Sequence, residues 1–457
     1  MLGRLFRVPG TWLAGLCATL FPLLLAYAEL LSAPVVAALL GLLVIAVSPL
    51  FLFQIFPLAS LFYRPLVSAG GFNLTLSDVL LSGILFSLLF LKRRPVDSLT
   101  RRVILVLGLS SLALPVFSFI GSLSLWSDLK VNLTAFLIYV KRFAEYAALL
   151  LVIFYLPRPK SMAGNVIILT ASITVATLTA LIPSLNNALI SAENVQNFGD
   201  RRVGLLLNPN IASDFALLFI NLGVSLIVFG RGLIRGWVAA GTAMIVPALL
   251  LMALSGSRAI IFALVASLLF WVVKRIQNPR FLLGVVAALA VAGGALVANP
   301  DNTLTQRWQE FSTQGFKERN VADRLESQSI GLRIYQENPL FGIGGGTLEK
   351  VSPRFGKYIV GTDSQYVDPL IDAGIFGLLA LLISLACFAW YGLRRGGVFG
   401  NALAVNVLGM AVAGLSGYTF FSPFIASYIW FLLLLTHLEF LYRSPDQAAE
   451  GELAHVR

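Results

Sequence analysis

The sequence has few charged residues. Asp, Glu, Lys and Arg make up 12% of its 457 residues, against roughly 25% in a typical soluble domain. These charges are too few to cover a soluble surface, and 58% of the residues are hydrophobic, with a mean hydropathy of +0.86. The composition therefore excludes a soluble enzyme, a disordered chain, a fibre and a secreted disulfide scaffold.

Cysteine and histidine are also scarce. The two cysteines, Cys17 and Cys387, both lie inside apolar runs, so structural disulfide bonds and thiolate metal sites are not expected. The two histidines are His437, near the end of the last apolar run, and His455 in the C-terminal tail. Because metal-ligand spacing is missing, we predict no metal and no other cofactor.

Long apolar runs are abundant, and they have about the length that spans a bilayer. They predict an all-α polytopic membrane protein. The run 34–63 is too long for one crossing and contains Pro49 and Pro57, so we interpret it as an N-terminal re-entrant hairpin. The other runs then give about 12 transmembrane helices, with fourteen spans as the alternative count. The runs are 12–31, 34–63, 74–91, 102–121, 134–156, 163–182, 204–229, 236–254, 259–273, 281–298, 369–391, 400–419 and 423–441.

The first run has no small-residue cleavage site and is interpreted as a retained helix rather than a removed signal peptide. Lys and Arg in the short loops predict the orientation, because cytoplasmic loops carry an excess of these residues. The basic clusters alternate with the spans and place both termini in the cytoplasm. The net charge of +11 is explained in the same way, so no nucleic-acid partner is expected.

One segment is polar. Residues 300–363 hold 16 of the 55 charged residues, and the alternation of spans places them outside, as a small helical periplasmic domain before the last three spans. A helix is predicted to start near Asn320 and to stop at Asn338, which Pro339 follows. The predicted divisions are N-terminal spans at 1–299, the periplasmic domain at 300–363, C-terminal spans at 364–442 and a cytoplasmic tail at 443–457.

Cations on the outer side oppose the orientation signal and are therefore candidates for a function. Only five lie in the predicted short outer loops: Arg64, Lys130, Arg201, Arg202 and Arg258. The planar guanidinium donates paired hydrogen bonds to phosphate oxygens and keeps its charge. We therefore predict that Arg202 and Arg258 together bind a phosphate or pyrophosphate. The alternative, separate snorkelling to the lipid headgroups, is favoured for Arg64.

Two further cations, Lys141 and Arg142, lie inside a span together with Glu145. Ionisable residues within a span are functional candidates, although Lys141 and Glu145 also fit an i,i+4 ion pair. Among the outer carboxylates, Asp368 precedes Pro369 and fits a helix N-cap. Asp363 has no obvious capping duty and is the candidate general base or acceptor-orienting group.

Four blocks within residues 200–380 resemble, in the same order, those of the O-antigen ligase/polymerase superfamily. Residues 202–210 resemble its R-x-G-x-x-x-N-P-N segment, and 255–258 its S-x-S-R signature. Residues 331–344 resemble its N-P-L-x-G-x-G block, and 363–378 its H/D-N-x-Y-L … G-x-x-G-L block. Members of this superfamily are metal-independent membrane glycosyltransferases that move glycans carried on undecaprenyl pyrophosphate.

The resemblance implies roles for individual residues. Arginines matching Arg202 and Arg258 hold the pyrophosphate leaving group, and Asp363 serves the acceptor hydroxyl. The ligase branch typically has histidine where this chain has Asp363, which favours the polymerase branch. Further residues in or beside the blocks, or in a helix that is basic in relatives, are predicted to contact substrate: Arg142, Arg201, Arg333, Asn210 and Tyr366.

The predicted function is polymerisation of undecaprenyl-pyrophosphate-linked repeat units at the periplasmic face of the bacterial inner membrane. The expected partners are this donor, a lipid-linked or lipid A–core acceptor, membrane lipids and a chain-length regulator. One alternative is a ligase that transfers the glycan to lipid A–core or to protein. A second is a lipid-linked glycan flippase, although the internal repeats common in transporters are not evident.

Overall fold

A computed structural model describes residues 49–61, 67–69, 72–88, 91–156, 158–189, 201–275, 309, 312–417, 419–420 and 422–443. This part of the chain is helical apart from one short antiparallel hairpin of β1 (Val67–Ala69) and β2 (Phe72–Leu74). The α-helices are α1 (Pro49–Ser60), α2 (Leu76–Leu88), α3 (Ser98–Leu125), α4 (Leu129–Val152), α5 (Ala163–Leu181), α6 (Pro183–Leu189), α7 (Pro209–Phe229), α8 (Trp237–Ser255), α9 (Ala259–Arg275), α10 (Arg319–Glu337), α11 (Leu348–Val351), α12 (Val367–Arg395), α13 (Gly397–Ala413) and α14 (Pro423–Arg443).

Six of the described helices are long and apolar enough to cross a membrane, namely α3, α5, α7, α8, α12 and α14. The prediction of a helical, multi-pass membrane protein is therefore confirmed. The count of about 12 spans stays a prediction, because the runs 12–31 and 281–298 and most of the proposed hairpin at 34–63 lie outside the described residues. The same holds for most of 300–311 and for the tail after residue 443.

The most buried of the six long apolar helices are α7 and α14. In the most apolar windows of α7 and α14, 78% and 83% of the residues are buried, against 28% in α3 and in α8. A helix that is apolar on all sides is stable only when other helices or lipid surround it. The helices α7 and α14 are therefore enclosed by protein, whereas α3 and α8 present apolar side chains outward, as a lipid-facing position requires.

One end of the bundle is held together by arginines. Arg395, in the last turn of α12, donates hydrogen bonds to Thr100 Oγ1 at 2.6 Å and to Asp97, the N-cap of α3. Burial alone raises the pKa of Asp97, but the hydrogen bond and charge of Arg395 outweigh it, so this pKa lies below its ordinary value. Arg275, which ends α9, donates to the carbonyl of Val228 at 3.1 Å.

The end of α14 joins the same surface. The Glu439 carboxylate accepts hydrogen bonds from the backbone N–H of Val398 and Phe399, at 2.9 and 2.8 Å, at the N-terminus of α13. Arg443 binds Glu439 and also reaches the carbonyl of Phe229 at the end of α7. We call this end, defined by Arg275, Arg395 and Arg443, the basic face.

The contacts at the basic face fix the direction of each neighbouring helix. The helices α3 and α13 begin there, and α7, α9, α12 and α14 end there. The predicted cytoplasmic clusters at 274–275 and 394–395 belong to this face. The helix α10 is part of the polar segment 300–363, which we call the insert, and it begins near the opposite end of α9. The predicted helix between Asn320 and Asn338 is confirmed as α10.

If the basic face is cytoplasmic, a cysteine on α10 should be accessible from outside the inner membrane. In a background without Cys17 and Cys387, we expect Ser329→Cys to react with an impermeant maleimide while the inner membrane is intact. The exposed position in Arg394→Cys should react only after this membrane is ruptured. The opposite pattern of labelling would show that the predicted orientation is inverted.

Candidate active site

The long helix α12 is broken near its start. Ala373 and Gly374 have non-helical backbone angles, and Gly374 has a φ of +65°, a conformation that favours glycine. A break inside a membrane helix is tolerated where neighbouring protein binds the backbone groups that the break releases. The loop 338–344, which follows α10, has this role here.

Three backbone hydrogen bonds join the loop to the broken helix, and we call this contact the interlock. Two run from loop N–H groups to helix carbonyls and one runs from a helix N–H to a loop carbonyl. They are Ile343 N–H to Ile371 O at 2.7 Å, Gly344 N–H to Asp372 O at 3.1 Å and Ile375 N–H to Pro339 O at 2.9 Å. The third and fourth blocks recognised in the sequence are thus in direct backbone contact.

The interlock is too close for side chains at two glycines. A Cβ on Gly374 would lie 2.1 Å from the carbonyl oxygen of Leu340, and a Cβ on Gly342 would lie 2.2 Å from that of Ile371. Gly342 also has a positive φ, of +69°. The glycine-rich stretch 342–346 is therefore a turn, and its backbone packs directly against the break in α12.

The first and second blocks are in direct contact with each other. The N–H of Arg202 binds the carbonyl of Leu254 at 3.0 Å, and Ser257 Oγ donates to Asn210 Oδ1 at 3.0 Å. Arg202 Nη1 also donates to the carbonyl of Leu181 at 3.3 Å. A cation at the last carbonyls of a helix stabilises that helix end. Arg202 thus has a structural contact at the end of α5.

Arg258 is paired with a residue of the insert. Its Nη2 lies 2.6 Å from Glu318 Oε2, and only 12% of the Arg258 side chain and 5% of the Glu318 side chain are exposed. Asn320 Nδ2 donates to the other Glu318 oxygen at 2.9 Å. Breaking such a buried pair costs about 3–5 kcal/mol, so this contact holds the start of α10 against the bundle.

Asp363 occupies an exposed and unusual backbone position. Its φ is +54°, in the left-handed region, and 57% of its side chain is exposed. Arg324 of α10 approaches it, with Nε 3.6 Å from Asp363 Oδ2, while Arg324 Nη1 donates to the carbonyl of Ser416 at 2.9 Å. Arg324 therefore connects Asp363 to the segment after α13.

The residues that follow Asp363 anchor its loop. The N–H of Gln365 binds the carbonyl of Gly414 at 3.0 Å, and Gln365 Oε1 accepts from the N–H of Phe420 at 2.9 Å. Tyr366, predicted to contact substrate, donates its hydroxyl to the carbonyl of Ala411 at 2.6 Å. Both side chains fix the loop to α13 and to the segment that follows it, which leaves Asp363 at its exposed tip.

A cleft of about 870 Å³ opens beside Asp363 and reaches Asp372 and Tyr139, whose hydroxyl donates to the Asp372 carboxylate.

Asp368, predicted to be an N-cap, is instead the second residue of α12, and that prediction is wrong. Its carboxylate accepts from the N–H of Thr362 at 3.0 Å and from its hydroxyl at 2.6 Å. Through these hydrogen bonds, Asp368 stabilises the loop that carries Asp363.

The helix α10 connects the arginines to the cleft. Glu318 and Arg324 are separated by about 9 Å along a helix, at a rise of 1.5 Å per residue, and they contact Arg258 and Asp363 respectively. Neither residue could be predicted from the sequence, because each contact joins positions far apart in the chain. Arg333, predicted from the third block, lies farther along α10 and is exposed, 5.9 Å above the ring of Phe355.

The remaining predicted residues have varied positions. Lys141 lies 3.8 Å from Glu145, as the i,i+4 pattern predicts, and closer to Asp78, at 2.9 Å. Arg142 lies in α4, but its side chain is outside the described part. Arg201 is half-buried beside Arg202. In the ranges that the structure describes, no group of three or more His, Cys, Asp or Glu side chains is arranged to hold a metal ion.

The helical bundle, the cleft and the site arginines Arg202 and Arg258 together define a helical membrane protein with a polar site at one end of the bundle. A family model described as O-antigen ligase matches residues 242–382, a little under a third of the chain. The match includes Arg258, the insert helix, the interlock and Asp363, and it confirms the predicted resemblance to the O-antigen ligase/polymerase superfamily. No curated protein matches the chain.

Gly374→Ala should destabilise the protein, because it adds a Cβ at the interlock and forces alanine into a positive φ. The backbone conformation alone costs about 1–3 kcal/mol. We expect a lower Tm for the purified protein in detergent. Gly108→Ala is the matched control, because a Cβ there meets nothing within 4 Å. Equal Tm values for the two variants would contradict the steric role of Gly374.

Proposed function

We propose that the chain is a metal-independent membrane glycosyltransferase that polymerises undecaprenyl-pyrophosphate-linked oligosaccharide repeat units. The product is an O-antigen, capsule or exopolysaccharide, made at the periplasmic face of the bacterial inner membrane. The observation that carries this proposal is the arrangement around α10. Arg258 contacts the start of this helix, Asp363 contacts its second turn, and a cleft opens beside Asp363.

The proposed reaction is a displacement at the anomeric carbon of the donor sugar. The acceptor hydroxyl oxygen forms the new glycosidic bond, and the bond to the pyrophosphate oxygen breaks with its electron pair leaving on pyrophosphate. Asp363 accepts the hydroxyl proton or orients the hydroxyl. Arg258 and Arg202 stabilise the negative charge that develops on the leaving group, where fixed donors are most effective.

The pairing of Arg258 with Glu318 suits this role. A guanidinium has five N–H donors in one plane, and the carboxylate of Glu318 fixes the orientation of that plane. A donor that is already oriented does not need to reorganise as charge develops. In this proposal, Glu318 is a positioning residue for Arg258, and Arg324 has the same relation to Asp363.

A ligase that transfers the glycan to lipid A–core or to protein is the second candidate, favoured by the description of the matching family. Asp363, at a position where the ligase branch typically has histidine, supports the polymerase. A flippase is less well supported, because transporter sites lie near the bilayer midplane, whereas Asp363 is exposed at one end of the bundle. The proposed partners are the lipid-linked donor, a lipid-linked acceptor and a chain-length regulator.

The assay for this function uses purified protein and synthetic undecaprenyl-pyrophosphate-linked repeat units. Arg258→Lys keeps the charge but loses paired hydrogen bonding, so we expect the rate of polymer formation to fall by roughly 10²-fold or more. Arg354→Lys is the control, because Arg354 is an exposed arginine of the same insert that does not line the cleft. Wild-type activity in Arg258→Lys, with a normal Tm, would exclude the bidentate role. A wild-type requirement for added lipid A–core would indicate the ligase.

Asp363→Asn separates the two roles proposed for this carboxylate, because asparagine keeps the shape and hydrogen bonding but cannot accept the proton. If Asp363 is the base, Asp363→Asn and Asp363→Ala should both slow turnover by roughly 10²–10⁴-fold. If it orients the hydroxyl, asparagine should be tolerated far better than alanine. Glu326→Gln is the control, since Glu326 is equally exposed, at 56%. Near-normal activity in Asp363→Ala would remove Asp363 from the mechanism.

A further inference from the structure

The cleft beside Asp363 has a clear excess of negative charge. Its lining, among the residues that the structure describes, includes five carboxylates and only two cations. The carboxylates come from three parts of the chain: α10, α11 and the segment from the Asp363 loop into α12. They are Asp323, Glu349, Asp363, Asp368 and Asp372.

The cations in and beside the lining offset only part of this excess. Lys357 and Arg319 pair with Asp323, and Arg324 approaches Asp363. The other three carboxylates accept hydrogen bonds from neutral groups: Glu349 from Tyr358, Asp368 from Thr362 and Asp372 from Tyr139.

Lys357 Nζ is 2.7 Å from Glu326 and 3.2 Å from Asp323, and Arg319 is 4.0 Å from Asp323. Hydrogen bonds from Lys357 to Glu326 and then to Asp323 raise the pKa of this lysine. Lys357 therefore stays cationic and bound to the wall, and its charge is matched by carboxylates on α10.

The charge of the cleft is opposite to that expected where the leaving group binds. Arg201, Arg202 and Arg258 belong to the ends of α5, α7, α8 and α9, whereas the cleft lies between the insert and α12. Neither Arg202 nor Arg258 is part of the described lining of the cleft, so a ligand group in the cleft contacts carboxylates rather than these arginines. Pyrophosphate would therefore contact positively charged arginines, and the sugars would contact a negatively charged cleft.

The cleft has the chemistry that suits uncharged sugars. Ionised carboxylates only accept hydrogen bonds, and sugar hydroxyls supply donors. Tyr139 and Tyr358 add aromatic rings to the lining. The volume of about 870 Å³ is near the upper end of the roughly 300–1,000 Å³ typical of ligand pockets, which is sufficient for several sugars.

We propose that the cleft binds a glycan without acidic groups, so that the repeat unit consists of neutral or amino sugars and contains no carboxylate, phosphate or sulfate. This inference rests on the proposed glycosyltransferase function. It adds a substrate class, which is set by the carboxylates of the wall rather than by Arg258.

The first test uses the natural substrate. The gene is deleted in its source bacterium, the surface or secreted glycan whose chain length collapses is identified, and its repeat unit is analysed by NMR and mass spectrometry. We expect a repeat unit without uronic acid, phosphate or sulfate. An acidic repeat unit would overturn this inference but leave the glycosyltransferase function intact. If no glycan changes, the proposed function fails and this inference fails with it.

The second test changes only the charge of the substrate. Lipid-linked repeat units are oxidised at one primary hydroxyl to a carboxylate, and the corresponding carboxamide is the neutral control of similar size. With wild-type protein, the carboxylate should raise KM by roughly fivefold or more, while the carboxamide should not. In the double variant Asp323→Asn, Glu349→Gln this difference should shrink. Equal KM values for the carboxylate and carboxamide in wild-type protein would overturn the proposal.

Discussion

The site depends on one contact, the three backbone hydrogen bonds between loop 338–344 and the break in α12. Without the loop, the carbonyls released by the break would lack partners inside the bundle, which is costly away from water. Without the break, the loop would have no surface to bind. Because the contact is made by backbone atoms, its specificity comes from Gly342 and Gly374, where no side chain fits.

The interlock also determines what the insert can do. It fixes the C-terminal end of α10, while the buried pair of Arg258 and Glu318 fixes the N-terminal end. A helix held at both ends is a rigid support. The helix α10 therefore fixes the position of Arg324, and through it that of Asp363, relative to Arg258. The exposed loop of Asp363 is held in turn by Gln365 and Asp368.

The sequence predicted the apolar helices, the insert helix and the four blocks, because each is encoded in residues close together in the chain. Periodicity and cation distribution are local signals of this kind. Glu318 and Arg324 were missed because their partners, Arg258 and Asp363, lie 60 and 39 positions away. Asp368 was misassigned as an N-cap because its acceptor role depends on how the preceding loop folds back. The position of Gly374 inside an apolar run does not indicate which segment of the chain packs against the break in α12.

The order of synthesis has a consequence for the insert. Chains are made from the N-terminus, and domains generally fold in that order, so Arg258 enters the membrane before Glu318 is translated. The partners of loop 338–344 in α12 are made later still. The insert therefore leaves the ribosome with only its first anchor available, and it completes its attachment once residues 371–375 have been inserted. Assembly of this surface is thus a late event, coupled to delivery of α12 into the bilayer.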